Sequence, residues 1–433
     1  MESPTKLFNK NYFLLWQGQT ISRVGTNIFS VAMILWLIDF TDKASLLGLM
    51  GMLAGIPEVL FSTIGGTIAD RYSRRTIIIS CDIIKGILIL LLTLFFYFST
   101  SSVNMIVLAL LIITTLSASV NAFFYPAISA SIPDLVPENK LNAANSLSQT
   151  SSQLISILGQ MIGSTLYFLL GAPLLVFLNG VSFFYSAISE FFITIPQKKL
   201  DRKDDNQENA SSFKNEIKEG LKYIWEKKGL KNLVLISAVL NFFTVPVILL
   251  FPYYLEKVLL INKAWYPHFL AVYVCGNVIG FLIASMNKIN SQIKNKLIFA
   301  FIILDASIYG ILGFTYNVYI ALFLIVSSGL MSGFVQIIIT SIMQSTTPSE
   351  IRGRVFGFLG TLGASLSPVA MGLAGVIADI TNKNIPLIYG SCSLIMIAIS
   401  LTILANKSIH EFLLEQKSEN VLLVNPVLRK SKS

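Results

Sequence analysis

Between two apolar runs, at about 46–69 and 76–98, stands Gly65-Gly66-Thr67-Ile68-Ala69-Asp70-Arg71-Tyr72-Ser73-Arg74-Arg75. Each run is long enough to cross a bilayer, which takes about 20 mostly apolar residues. The glycines end the first run and permit close approach of a neighbouring helix. Asp70 can cap a helix N-terminus or pair with an arginine. The arginines crowd into the turn itself. This stretch therefore reads as the tight, cationic connection between two membrane helices, and it sets the fold class for the rest of the chain.

Working outward, ten further apolar runs appear. The twelve span approximately 13–38, 46–69, 76–98, 103–130, 143–170, 172–196, 230–256, 265–287, 296–316, 318–342, 354–380 and 386–406. They are too long for membrane strands and lack alternation. The composition agrees: 433 residues are 54% hydrophobic and only 13% charged, with mean hydropathy +0.70, whereas a soluble protein carries about 25% charged residues. That excludes a disordered chain and argues against a soluble polynucleotide binder. The first run is too long for a signal-peptide core and has no small-residue cleavage site after it, so it reads as an uncleaved span. Cys81, Cys275 and Cys392 lie in apolar runs and read as buried small hydrophobes.

Basic residues orient the chain. With both termini in the cytoplasm, 26 of the 32 Lys and Arg fall on the cytoplasmic side and four in outer loops, as the positive-inside rule requires. The polar segment 197–229 opens with a charge cluster and continues with Phe213, Ile217, Leu221 and Ile224 at helical spacing. It reads as an amphipathic helix on the cytoplasmic membrane face. A Pro-led polar turn feeding a Gly/Ser-rich helix occurs at Pro137 and again at Pro348. The expected architecture is all-α and integral to the membrane: twelve transmembrane helices in two six-helix bundles related by duplication. The bundles are 1–196 and 230–406, joined by the 197–229 linker and followed by a 407–433 tail. Duplicated transporters of this kind place substrate between the halves.

The loop at Gly65–Arg75 resembles the loop-2/3 signature of the major facilitator superfamily, with Gly66, Ala69, Asp70, Arg71, Arg74 and Arg75 in register and Ser73 where the family usually has Gly. Leu15–Ser22, Pro133–Pro137, Phe177–Phe183 and Arg352–Gly357 extend the resemblance over roughly 10–405. They are similar to the drug:proton antiporter-3 type, which contains enterobactin exporters and macrolide efflux proteins. The resemblance implies a gate built from Gly66, Asp70, Arg71, Arg74, Arg75, Arg352 and Arg354. It also implies proton-driven export of a small molecule from a bacterial cytoplasm, through the inner membrane. The segment Gly159-Gln160-Met161-Ile162-Gly163-Ser164 departs from the family's Gly-Pro-x-x-Gly-Gly. Span four carries no arginine where many drug antiporters have one.

Ionisable groups inside spans need partners or a wet cavity. Glu58 lies about 18 Å from the cytoplasmic surface and Arg23 about 20 Å, at 1.5 Å rise per residue, so an Arg23–Glu58 pair is expected. Either it fixes packing or Glu58 carries the proton. Glu190 and Asp305 are alternative protonation sites. Asp82 and Lys85, one turn apart, are expected to neutralise each other; Asp39 and Asp379 read as solvated caps. Gln19, Asn27, Asn121, Tyr125, Gln153, Gln160, Asn241, Tyr273, Asn277 and Gln336 are the polar residues positioned to line a substrate cavity. Pro57, Pro126, Pro246 and Pro368 interrupt spans. No Walker, HExxH or Cys/His motif is present, so no enzyme activity, cofactor or metal is expected. The expected partners are a small-molecule substrate, the proton and the bilayer, with the chain working as a monomer. The substrate class stays open between a siderophore, a peptide metabolite and a macrolide-like drug. A lysophospholipid-flipping transporter on the same fold is the alternative, and an integral membrane enzyme a more distant one.

Overall fold

The computed structural model describes residues 7–98, 102–195, 222–286, 291–347, 349–406 and 408–409. Among these the regular structure is entirely helical, which satisfies backbone N–H and C=O groups within their own segment where lipid offers no partner. The helices are α1 (Lys10–Thr41), α2 (Ala44–Arg71), α3 (Arg74–Phe98), α4 (Val103–Leu135), α5 (Leu141–Phe191), α6 (Lys228–Leu249), α7 (Phe251–Lys257), α8 (Tyr266–Met286), α9 (Ser291–Gly313), α10 (Val318–Thr346), α11 (Ser349–Ile380) and α12 (Ile385–Ala405).

The span count agrees with the sequence reading, although the helices divide differently. Ten segments are long and apolar enough to cross a membrane. One of them, Ala143–Phe191, runs 49 residues, about twice what a crossing needs. It breaks at Gly171, whose φ of 75° and ψ of 163° leave the helical region. An L side chain adopts that φ only with strain, and Pro173 cannot continue a helix from the far side. Spans five and six therefore meet at Gly171. The shorter apolar helix Ser365–Ile380, the end of α11, supplies the twelfth crossing. The run expected at 230–256 is two helices, because α6 stops at Leu249 and α7 restarts with Pro252 in its first turn.

Helix ends follow local chemistry. Asn9 caps α1 by accepting from the Tyr12 N–H at 3.0 Å, and Asn317 caps α10 by accepting from Tyr319 and Ile320. The residue before α2, Lys43, supplies no side-chain cap. The Asp379 carboxylate takes that place, accepting from the Ala44 and Ser45 N–H groups at 2.9 Å each.

The chain divides into two units. The first is drawn from 1–202 with Lys263–His268 and Met371–Ile380, the second from 203–262, 269–370 and 381–433. In the first, α1 and α3 both pack on α5, and α2 packs on α4. In the second, α6 and α9 both pack on α12, so the packing order of spans one, three and six recurs in spans seven, nine and twelve. The core of the second unit includes Leu230, Phe299, Phe334 and Ile342, and it also takes Ile224 and Ile409. Ile224, which the sequence places in the membrane-surface stripe, is instead fully buried in this core. Phe213, Ile217 and Leu221 lie outside the described residues. Cys81 and Cys392 are buried as expected, whereas Cys275 is exposed.

Candidate functional site

The first unit carries a seam of polar side chains between α1 and α5. On α1, Trp16, Gln19, Thr20 and Arg23 share one face by their i, i+3, i+4, i+7 spacing. On α5, Ser148, Ser151 and Ser152 do the same. The Trp16 indole N–H donates to Ser151 at 3.2 Å, and the Arg23 guanidinium donates to Ser152. Gln17 Nε2 donates to Ser189 at 3.2 Å. A cavity of about 30 Å³ opens between α1, α4 and α5, with Gln19, Arg23, Ser148 and Ser151 in its wall. That is room for one or two waters and far too little for a drug-sized molecule.

Behind Gln19 lies a charged cluster. Gln19 Nε2 donates to Glu190 Oε1 at 2.6 Å, and Ser186 lies 3.4 Å from the same oxygen. Lys85 Nζ pairs with Asp82 Oδ1 at 3.0 Å and sits 3.7 Å from the Phe124 ring centroid and 4.7 Å from that of Phe183. Glu190 is within electrostatic reach of both Asp82 and Lys85. The residues are 0% (Asp82), 5% (Lys85), 1% (Glu190) and 6% (Gln19) exposed.

The expected Arg23–Glu58 pair is absent: among the described residues no ion pair joins the two. The cause is packing, because α1 lies along α5 while α2 lies along α4, so Arg23 finds Ser152. Glu58 is half-buried, and the Tyr125 hydroxyl lies within electrostatic reach of both charges. In the second unit, Ser328 donates to Asp305 at 2.5 Å and lies 3.4 Å from the Tyr309 hydroxyl. The Tyr273 hydroxyl donates to Ser332 at 3.1 Å.

The remaining cavity residues scatter. Asn27 donates back to the Arg23 carbonyl at 2.8 Å, Gln160 bonds Ser156 at 3.1 Å, and Asn241 accepts from Ser367 at 3.2 Å. Asn121 and Asn277 are half-buried, and Tyr125, Gln153 and Gln336 are exposed. Among the described residues, Gln19 meets another named site residue, Glu190, side chain to side chain, and Asn27 reaches Arg23 through its backbone alone.

In the loop between α2 and α3, Arg74 donates to the Ala130 carbonyl at 2.7 Å and pairs with Asp134 at 2.6 Å. Arg75 donates to the Phe191 carbonyl and lies 5.3 Å from that ring's centroid. Arg71 is exposed. The side chains of Asp70, Arg352 and Arg354 lie outside the described residues. Close packing belongs to Gly65 and not to Gly66: a Cβ on Gly65 would collide with the Ala122 carbonyl oxygen, while one on Gly66 would meet nothing within 4 Å.

Sequence reasoning missed several partners. Asp134 sat in the quoted Pro133–Pro137 segment without a role. The serine stripe at 148, 151 and 152 was legible from its spacing. Asp39 is no solvated cap: it pairs with Lys263 and accepts from the Tyr167 hydroxyl at 2.5 Å. Asp379 does cap a helix, but the helix is α2.

A sequence profile of the Major Facilitator Superfamily matches residues 15–371. The chain belongs to the major facilitator superfamily. This superfamily member is 25% identical over 397 residues to Macrolide efflux protein A of Streptococcus pyogenes, covering 90% of this chain and 94% of that protein. It is 24% identical to Multidrug efflux pump Tap of Mycolicibacterium fortuitum, over 82% of this chain and 86% of that one. Among solved structures it resembles a bacterial homologue of the human lysosomal transporter Spinster in an inward-facing, unoccupied state. That match has a TM-score of 0.64 at 16% identity and covers 93% and 95% of the two chains. The nucleoside transporter NupG matches with a TM-score of 0.66 at 11% identity, over 91% and 98%. At such identities the structures speak for the fold alone. The superfamily member is a multi-pass membrane transporter with efflux pumps among its relatives, and the resemblance read from its motif segments is borne out.

Proposed function

We propose that this chain exports an amphipathic small molecule of the macrolide-like or multidrug type, by alternating access and at the expense of the proton gradient. The observation that carries the reading is the likeness to Macrolide efflux protein A along nine-tenths of the chain. Carboxyl groups in both units, the buried Glu190 in the first and the half-buried Asp305 in the second, supply the side chains that proton coupling needs. Half-buried Glu58 is a third. The signature loop acts as a cytoplasmic latch, with Arg74 anchored on Asp134 and Asp70 near the end of α2.

Expression in a macrolide-sensitive bacterium tests the substrate class. Cells carrying the protein should accumulate several-fold less radiolabelled macrolide than cells carrying an empty vector. Equal accumulation would contradict the class. The reading also places both termini and the 197–229 segment in the cytoplasm of a bacterium, on the charge bias of the loops. A cysteine at Asn206 should resist membrane-impermeant maleimide in intact cells and react after permeabilisation; labelling of intact cells would reverse the orientation.

A further inference from the structure

Asp82, Lys85 and Glu190 bring two carboxyl groups and one ammonium, all buried, within electrostatic reach of one another. Lys85 neutralises one carboxylate. Its other neighbours are the faces of Phe124 and Phe183, which attract the cation but carry no net charge. With both carboxyls ionised, the cluster would hold one uncompensated negative charge away from water, at a cost of several kcal/mol. A second observation agrees. Asp82 Oδ2 and Glu190 Oε2 are both buried without a hydrogen-bond partner, as is the Arg75 Nε–H beside the recess next to Glu190, and an added proton would give the two carboxyl oxygens a donor.

The groups around the cluster do not change the count. From α3 come Cys81, Asp82 and Lys85; from the sixth span Ser186 and Glu190; from α1 Gln19; and from α4 the Phe124 ring. The Tyr125 hydroxyl feels Asp82, Glu58 and Arg23. Arg75 borders a recess beside Glu190. Its guanidinium is turned to the Phe191 carbonyl and ring, and among the described residues no ion pair joins it to Glu190.

We propose that Asp82, Lys85 and Glu190 form one site that holds a single shared proton, and that Gln19 conveys its occupancy to the wet cavity beside Arg23. With the proton in place the cluster is neutral, and Gln19 donates an ordinary hydrogen bond to Glu190. When the proton leaves, the same bond becomes charge-assisted and roughly doubles in strength. That draws α1, whose next turn carries Arg23, more firmly onto the sixth span. This assignment deepens the reading of proton-coupled export by naming the carrier, and it rests on that reading for its role in transport. Gln19 is a positioning residue in it.

The test needs neither substrate nor gradient, so it can fail while proton-driven export stands, and the reverse. The protonated-carboxyl infrared band of the full-length protein in detergent is followed through a pH series. Glu190→Gln and Asp82→Asn should each remove one carboxyl's worth of that band at neutral pH, because losing either carboxylate leaves the other paired with Lys85. Gln19→Leu should shift the pH at which the band titrates, and Gln344→Leu, at an exposed position on α10, should not. Retention of the full band by either carboxyl variant overturns the shared proton. A Gln19→Leu titration that overlays the wild type overturns the link to the cavity. A gain of band in Arg75→Gln would make Arg75 the counter-ion of Glu190 and overturn the charge count.

Discussion

Lys85→Met will destabilise the folded protein by about 3–5 kcal/mol, the cost of removing one partner from a buried ion pair. The side chain is 5% exposed and its partner Asp82 0%, so water cannot take over the lost charge. Met roughly conserves the volume between Phe124 and Phe183, which makes the loss electrostatic and not a cavity effect. The double variant Lys85→Met/Asp82→Asn removes a charge of each sign and should recover a large part of the loss. The apparent melting temperature in detergent reads both. A single variant that melts with the wild type would show that the pair is hydrated or breaks without cost.

Gly65→Val will separate α2 from α4. A Cβ there meets the carbonyl oxygen of Ala122, with the Phe123 Cα only 3.0 Å away, and these are backbone atoms that cannot rotate aside. Overpacking typically costs 1–3 kcal/mol, and contact with main chain puts this site at about the upper end of that range. Gly66→Val is the matched control, since the space around Gly66 is open. No loss is expected there, because valine, although β-branched, is a slightly better helix former than glycine. Equal losses of folded, membrane-inserted protein in the two variants would mean that the glycines matter for helix flexibility and not for packing.

The difference between these two glycines marks how far sequence alone reaches. Gly65-Gly66 beside Ala69 and Asp70 identified the connection, but only the approach of α4 says which glycine it leans on. The spans themselves were legible because hydrocarbon demands long apolar runs, and Gly171 with Pro173 was a legible break for the same backbone reasons. Partners were another matter. Arg23 and Glu58 were matched by depth and by the adjacency of their spans in the chain. Adjacent spans need not be the ones that pack, and α1 lies on α5. Glu190 and the Asp82–Lys85 pair were each conspicuous as charges inside apolar runs. Their meeting depends on how α3 and the sixth span pack, through Gly86 against Phe184 and Gly180 against Leu90, which no spacing within one helix encodes. Asp379 was recognised as a cap, while the helix it caps lies 334 to 335 residues away in sequence.

We propose that export runs on protons carried by Asp82, Lys85 and Glu190 in the first unit. Purified protein in proteoliposomes, with an imposed pH gradient and a radiolabelled macrolide, tests it most directly. Wild-type protein should concentrate the macrolide against its gradient and stop when a protonophore is added. Glu190→Gln should still exchange labelled for unlabelled macrolide but should only equilibrate it, whatever the pH gradient. Uphill accumulation by Glu190→Gln at the wild-type rate would contradict the account, as would wild-type accumulation that ignores the protonophore.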